Sequence, residues 1–485
     1  MRGQRAGVTA KRRRVSRLAV ALLCSLALPA FAQTAPTVEE LQKRLEALER
    51  RLGTSVATEE GGEVGLADLD QRLKVIERRL ELQQEEAVAK AKEAPVISVN
   101  DKGASFKSAD SNYEVRLRGL IQGDGRFYVN DDALPQNDTF LLRTARPIIE
   151  GSLGKLIGFR FTPEFAGDSA SIVDAYVDLR FNPAYTLRVG KFTSPVGLER
   201  LQSSSALSAV ERALASELAP NREIGVQLQG DVADGKFSYA LGVYNGTVDG
   251  RDAVTTNPDN EFEYAGRAFF EPFRNNANAW SGLGFGVGAS IGDKLGTGNN
   301  FLPRYRTPGQ VQFFNYRSSI AADGENFRFS PQAYYYLGRF GVLGEYIRSS
   351  QEVLQTTGAN AGVRADLENT AWQTTVQFVL SGEDASYRGV VKPSRPFRPG
   401  EGWGAFELVG RYGELQVDDR AFPIFADPGV SAREASSWTL GLNWYLTSNL
   451  KLVFNYLDTT FKGGAAGGSD REDEKAIFSR LQVAF

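Results

Sequence analysis

The segment YEVRLRGLIQG, Tyr113 to Gly123, decides how the longer part of this chain folds. Val115, Leu117 and Ile121 share one face with Gly119, while Arg116, Arg118 and Gln122 occupy the other. That is a period of two, and so a strand with one apolar and one polar face. The rhythm returns in DAYVDLRF, YTLRVGKF, IGVQLQGD, FSYALGVY, GLGFGVGAS, SPQAYYYLG, FGVLGEYI, AWQTTVQFVL, WTLGLNWYL and LKLVFNYLD. Tight turns are expected at Asn182-Pro183, Asp234-Gly235, Leu337-Gly338-Arg339 and Ser448-Asn449, and long loops over 293–326 and 382–402.

About sixteen such segments, with short turns at one end and long loops at the other, predict an all-β fold. It is a sixteen-stranded antiparallel transmembrane β-barrel, its apolar face to lipid and its polar face to a watery lumen. Trp438, Trp444, Tyr445, Tyr334, Tyr335 and Tyr336 are candidates for its interfacial girdles. A pair of soluble β-sandwiches would also carry solvated faces, but the chain closes on AIFSRLQVAF, with Leu481, Val483 and Phe485 on one face. A terminal aromatic on an alternating last strand resembles the assembly signal of outer-membrane barrels, and Phe485 is assigned that role.

The other end reads differently. Seven basic residues between Arg2 and Arg17 precede an apolar run, Leu18 to Phe31, that ends in Ala30-Phe31-Ala32. The run is too short to span a bilayer and matches a secretory signal cleaved after Ala32. The single cysteine, Cys24, leaves with it. Seven of the 56 bases and none of the 59 acids precede residue 33, so the mature chain has 49 bases against 59 acids, a net charge of −10. From Val38 to about Lys92, leucines at 41, 45, 48 and 52, then Leu66, Leu69, Leu73, Ile76 and Leu80, hold the a and d spacing of a coiled coil. The expected divisions are a signal peptide over 1–32, a periplasmic coiled-coil stalk over 33–94, a linker over 95–112 and the barrel over 113–485.

The chain has no histidine. Ser-His-Asp hydrolysis and His-ligated metals are thereby excluded, and without a mature cysteine so are thiolate sites and disulfides. No catalytic constellation is present: the expectation is no enzyme, no metal and no cofactor. The acidic balance and the lack of a basic patch point away from nucleic acid.

One stretch interrupts the alternation. In VGLERLQSSSALSAVERALASE, 196–217, Leu198, Leu201, Leu207, Val210 and Leu214 fall at roughly helical spacings, and Arg200 and Arg212 each follow a glutamate. It lies after a fifth strand ending near Lys191-Phe192 and before a sixth starting near Arg222. Those arginines either pair with Glu199 and Glu211 or serve a passing anion.

Taken in order, DAYVDLRFNPAYTLRVGKFTSPVGLERLQSSSALSAVERALA, LPRYRTPGQ, SPQAYYYLGRFGVLGEYIRSSQEV, LSGEDASYRGV, WGAFELVGRYGEL and LGLNWYLTSNLKLVFNY resemble the phosphate-selective porins O and P over essentially all of 110–485. The resemblance implies a homotrimer in the outer membrane, each barrel with its own pore narrowed by an inward-folded loop, here 196–217. It implies constriction cations at Arg200 and Arg212, and pore-mouth arginines at Arg143, Arg304 and Arg306. It also implies inorganic phosphate, polyphosphate or other small anions as the solutes passed, with outer-membrane lipid around the barrel. Arg116, Arg118 and Arg188 are read as ordinary lumen-wall residues. The chain departs from the pattern where Ser205 stands for a further lysine, where Thr144 replaces the second arginine of a pair, and where the upper ladder is shortened to two arginines. The expected function is a passive anion-preferring channel. The alternatives are a broad small-solute porin without phosphate preference, and an envelope tether that works through its stalk.

Overall fold

The computed structural model describes residues 66–129, 136–389 and 391–485, with Lys43 and Ala47. The expected signal segment and, apart from those two helical residues, the first run of the leucine repeat lie outside the described residues. Helix α1, Leu66–Glu93, carries the second run, and Pro95, which cannot continue a helix, follows it. Where a linker was expected the chain forms a hairpin, β1 (Val96–Asn100) and β2 (Gly103–Lys107).

The barrel strands are β3 (Tyr113–Tyr128), β4 (Thr139–Leu153), β5 (Ile157–Glu164), β6 (Ser171–Asn182), β7 (Tyr185–Phe192), β8 (Glu223–Val232), β9 (Phe237–Tyr244), β10 (Glu263–Phe270) and β11 (Leu283–Leu295). After a two-stranded excursion, β12 (Arg304–Arg306) and β13 (Gln312–Asn315), follow β14 (Ile320–Leu337), β15 (Phe340–Gln355), β16 (Arg364–Val379), β17 (Ala405–Gln416), β18 (Ala432–Tyr445), β19 (Leu450–Gly463) and β20 (Glu474–Ala484). Each barrel strand pairs antiparallel with its sequence neighbour, and β20 closes on β3 from Ala476↔Tyr128 to Ala484↔Leu120, giving sixteen strands with no free edge. Phe485 continues the seam, exchanging backbone hydrogen bonds with Gly119 at 2.9 and 3.0 Å. Beyond it β2 takes over as the neighbour of β3, with Ala104 opposite Leu117.

Alternation sets the two surfaces. On β3, Gln122, Asp124 and Arg126 are buried while Ile121 and Phe127 are exposed. The inverted pattern continues round the barrel: Gln373, Asn443 and Asn455 are inside, while Phe140, Leu241, Tyr264 and Leu440 face out at 58–80% exposure. A water-soluble sandwich would bury the second set; a barrel in lipid exposes it. The aromatic residues divide by the same rule, which corrects the girdle expectation. Tyr445 is buried inside, and Tyr334 and Tyr336 share the inward face of β14 with buried Gln332, whereas Trp438 lies on the outer face.

Short turns over 154–156, 183–184, 233–236, 338–339 and 446–449 mark one end. The loops at the other end include 245–262, 296–319 and 417–431. The asymmetry has two exceptions that composition did not reveal: following the strands in order places the 271–282 connection and the long 380–404 connection at the short-turn end. By the usual orientation of such barrels, short turns face the periplasm.

Candidate functional site

Between β7 and β8, residues 193–222 leave the wall and cross the lumen. The route starts where β11 offers a glycine: a Cβ at Gly288 would lie 2.9 Å from the Pro195 carbonyl oxygen, so only a bare backbone lets the loop pass so close. Polar side chains from the far wall then hold it. Glu345 accepts from the Leu198 and Glu199 amides at 2.5 and 3.3 Å, Asn455 accepts from the Val210 amide at 2.7 Å, and Lys451 donates to the Leu207 carbonyl at 2.8 Å. Gln122 and Gln482, on either side of the β20/β3 seam, donate to the carbonyls of Ser204 and Ser205.

The segment is not the helix that its apolar spacing suggested. Only Leu214–Leu218 forms a 3-10 turn. The apolar residues serve three separate contacts rather than one helix face: Leu198 packs with Phe269 and Leu343, Val210 with Tyr128 and Phe478, and Leu214 and Leu218 in the cluster of Phe192 and Tyr244. Loop backbone that the wall side chains satisfy has no need of helical hydrogen bonds.

Two further segments meet it. From the long-loop end, 296–319 turns inward: Tyr305, Phe313 and Phe314 are buried, Tyr305 donates to Asp249 at 3.2 Å, and the Arg306 amide donates to Glu217 at 3.1 Å. From the short-turn end comes 380–404, where the Tyr387 hydroxyl donates to the Leu198 carbonyl at 2.7 Å and Gln202 donates to the Tyr387 carbonyl at 2.7 Å.

What remains open is a chain of cavities that share lining residues. An outer cavity of about 330 Å³, lined by Arg304 and Lys294, meets the next at Arg251 and Asp252. That second cavity, also about 330 Å³, is lined by eight arginines, at 143, 146, 200, 212, 222, 251, 306 and 480, against four acids, Glu164, Glu211, Glu217 and Asp252. It meets a third, of about 490 Å³, at Arg146, Ser204 and Arg222, and the third opens past Gln202 and Arg267 to the short-turn end. The lining is cationic although the chain as a whole is acidic, with a net charge of −3, and low-dielectric walls concentrate the field of a few charges.

Many of these arginines are neutralised. Glu211 is shared by Arg126 at 2.5 Å, Arg143 at 2.8 Å and Arg480 at 3.7 Å. Arg146 pairs with Glu164 at 2.7 Å, Arg222 with Asp174 and Arg188 with Asp178, both at 2.8 Å. Others are not. Arg200 donates to the Ser216 carbonyl and to Asn221, and its buried Nε has no partner; Arg212 donates to the carbonyls of Glu199 and Gln202. Among the described residues neither forms an ion pair, and neither do Arg251, Arg304 and Arg306. These five guanidiniums follow one another from the outer cavity into the second, and none has a carboxylate within ion-pair distance, although Glu217 and Asp252 line the same cavity.

Neither Arg200 nor Arg212 pairs with the glutamate before it. Glu199 goes instead to Arg411, the Ala213 amide and Ser216. The expected mouth residues separate. Arg304 lines the outer cavity, while Arg306 and Arg143 line the inner one, where Arg143 is tied to Glu211. Arg143 reaches the lumen because the register shifts between Gln122 and Gly123, which leaves it as the extra residue of a bulge beside inward-facing Thr144. Arg116 and Arg118 sit half-exposed near the start of β3, beside Glu114 and Glu150, and Arg188 lies 3.9 Å over the Tyr176 ring. Ser205 does not line these cavities; its neighbour Ser204 does, accepting from Arg146 at 3.1 Å. Sequence reasoning missed Arg146, Arg222 and Arg251. Arg146 carried a usable signal, since it stands two residues past inward-facing Thr144.

A family profile described as phosphate-selective porin O and P matches residues 115–485. Porin O of Pseudomonas aeruginosa is 23% identical over 426 residues, which cover 81% of this chain and 93% of that protein. Among solved structures, the outer-membrane channel DcaP of Acinetobacter baumannii superposes with a TM-score of 0.49 at 11% identity, covering 78% of this chain and 99% of that one. The anion-selective porin of Comamonas acidovorans gives 0.47 at 15% identity, covering 77% and 100%.

Proposed function

This chain belongs to the phosphate-selective porin O and P family of outer-membrane channels, and on that premise we propose that it passes small anions by passive diffusion, inorganic phosphate or polyphosphate among them. The observation that carries this reading is the run of unpaired guanidiniums, Arg304, Arg251, Arg306, Arg200 and Arg212, along joined cavities. A guanidinium stays charged at every relevant pH and its planar fork fits phosphate oxygens. A row of them conducts when each site binds weakly enough to hand the ion on. The contacts of Arg200 and Arg212 to carbonyls hold those two cations without quenching them.

The rest of the molecule is read accordingly: a signal peptide over 1–32, a periplasmic stalk over 33–94 and a homotrimer of barrels. In planar bilayers the full mature chain is expected to show a reversal potential favouring anions, Arg200→Glu is expected to lower or reverse that preference, and phosphate is expected to block chloride current saturably. A cation-selective wild type overturns the reading. Anion preference without saturable phosphate block leaves a broad anion porin, which the pairing of both neck arginines, Arg146 and Arg222, with carboxylates would favour.

A further inference from the structure

Past the neck the pathway widens, at the short-turn end, into a chamber of about 780 Å³ whose walls differ from the rest. Phe269, Tyr334 and Tyr336 come from the barrel, and Tyr387 comes from the inward-folded 380–404 segment. Tyr334 stacks on Tyr387 with ring centroids 4.9 Å apart and leans on Phe269 at 5.2 Å. Arg267 lies over the Phe269 ring at 4.2 Å, and its Nε donates to Gln332 at 3.0 Å. Neither Arg267 nor the exposed Arg388 forms an ion pair among the described residues. The buried Tyr336 hydroxyl has no hydrogen-bond partner.

Ring faces are a poor lining for a bare oxyanion. Their quadrupole is negative on the face, and they offer apolar area that such an ion cannot use. A planar apolar body gains from them, and a cation held over a ring face of the same chamber supplies the counter-charge for an anionic head. The volume lies within the range of small-molecule sites, about 300–1,000 Å³. Resting on the anion-channel reading above, we propose that this chamber is a binding subsite for aryl anions, molecules with one aromatic ring and a phosphate or carboxylate group. The ring lies against the Tyr334, Tyr387 and Phe269 wall and the head lies on Arg267 and Arg388. Arg267 lines both this chamber and the one above it, so it passes the head group between them.

The test compares block of chloride current by phenyl phosphate, benzoate and inorganic phosphate, each added from the short-turn side of the full mature chain in planar bilayers. Phenyl phosphate is expected to half-block at a concentration about tenfold below that of inorganic phosphate, the effect of one or two aromatic contacts. Block by benzoate at comparable concentration assigns the shared aryl-anion chemistry, and block by phenyl phosphate alone narrows it to phosphate esters. Tyr334→Leu is expected to weaken phenyl phosphate block several-fold more than it weakens phosphate block, and Arg267→Gln to weaken both. Should Tyr334→Leu fail to insert, Phe269→Leu gives the same comparison. Equal block by phenyl phosphate and phosphate overturns the proposal, as does an aryl preference that survives both substitutions. The reversal potential is read on the same membranes: anion selectivity without aryl preference removes this subsite alone, whereas cation selectivity removes the channel reading itself.

Discussion

At the neck where the second and third cavities meet stand Arg146 and Arg222, each with its carboxylate, whereas Arg304, Arg251, Arg306, Arg200 and Arg212, which lead to it, have none among the described residues. A guanidinium's worth to a passing anion depends on that difference. Glu164→Gln would free Arg146 while keeping an acceptor for the Ala145 and Ala166 amides. Its expected effect is about a fourfold rise in anion-over-cation permeability, since one unit charge at ~10 Å in a watery pore is worth ~0.4 kcal/mol in favour of the anion and as much against the cation. Glu217 gives the pH dependence. Burial raises its pKa, more than Arg200 and the Arg306 amide lower it. As pH falls it therefore loses its charge before ordinary carboxylates do, and Arg200 and Arg306 gain weight. Reversal potentials taken from pH 7 downward should become more anion-selective before the solvent-exposed carboxylates titrate, and Glu217→Gln should reduce that early step. The candidate residues were legible in part. Arg200 and Arg212 could be picked out by their place in an odd loop, but which arginines are quenched was not legible, because partners such as Glu211 and Arg480 lie far apart in the chain.

At the scale of elements, strands were readable because each writes its two surfaces into a period of two, and turns because their residues are punctuation. Loops wrote less. The 193–222 segment spreads its leucines over three wall contacts, which imitates helical spacing, and its path is fixed by distant side chains such as Glu345 and Lys451. The 380–404 segment was readable as a long loop but not as one at the short-turn end that turns inward. Its seat is narrow: at Gly389 φ is +65° and a Cβ would lie 2.0 Å from the Ala206 carbonyl oxygen. Gly389→Ala should therefore displace this segment from the constriction loop. A side chain in that backbone region costs about 1–3 kcal/mol. The expected readout is a larger and noisier single-channel conductance, while a conductance equal to wild type would show that 380–404 does not limit the pore.

For the whole molecule, the contrast is between an acidic chain and a cationic passage, and it makes selectivity depend on salt. The Debye length shrinks from about 10 Å at 0.1 M to about 3 Å at 1 M, so lumen charges separated by several ångströms act together only in dilute salt. Anion preference should accordingly fall steadily between those concentrations, as measured by reversal potentials at a fixed gradient ratio. Glu211 bears on stability as well. Despite burial, which would raise its pKa, Arg143, Arg480 and Arg126 hold it well below the ordinary carboxylate range. Glu211→Gln leaves three guanidiniums crowded together and is expected to cost about 3–5 kcal/mol, the penalty for breaking a buried pair, read as a lower temperature for loss of the folded band in unheated electrophoresis.

The position of Glu211 also bears on how the barrel is put together. It rides on the lumen loop, yet its partners Arg126 and Arg480 belong to β3 and β20, the first and last strands of the barrel. Ser204 and Ser205 are gripped from the same two strands. A cylinder zipped shut around an empty middle would leave Asp124, 2.9 Å from Arg126 and 2.6 Å from Arg480, as the carboxylate paired with both cations at the seam. The loop adds a second carboxylate and two backbone acceptors across that seam, so the plug that narrows the finished pore is also a clasp between its first and last strands.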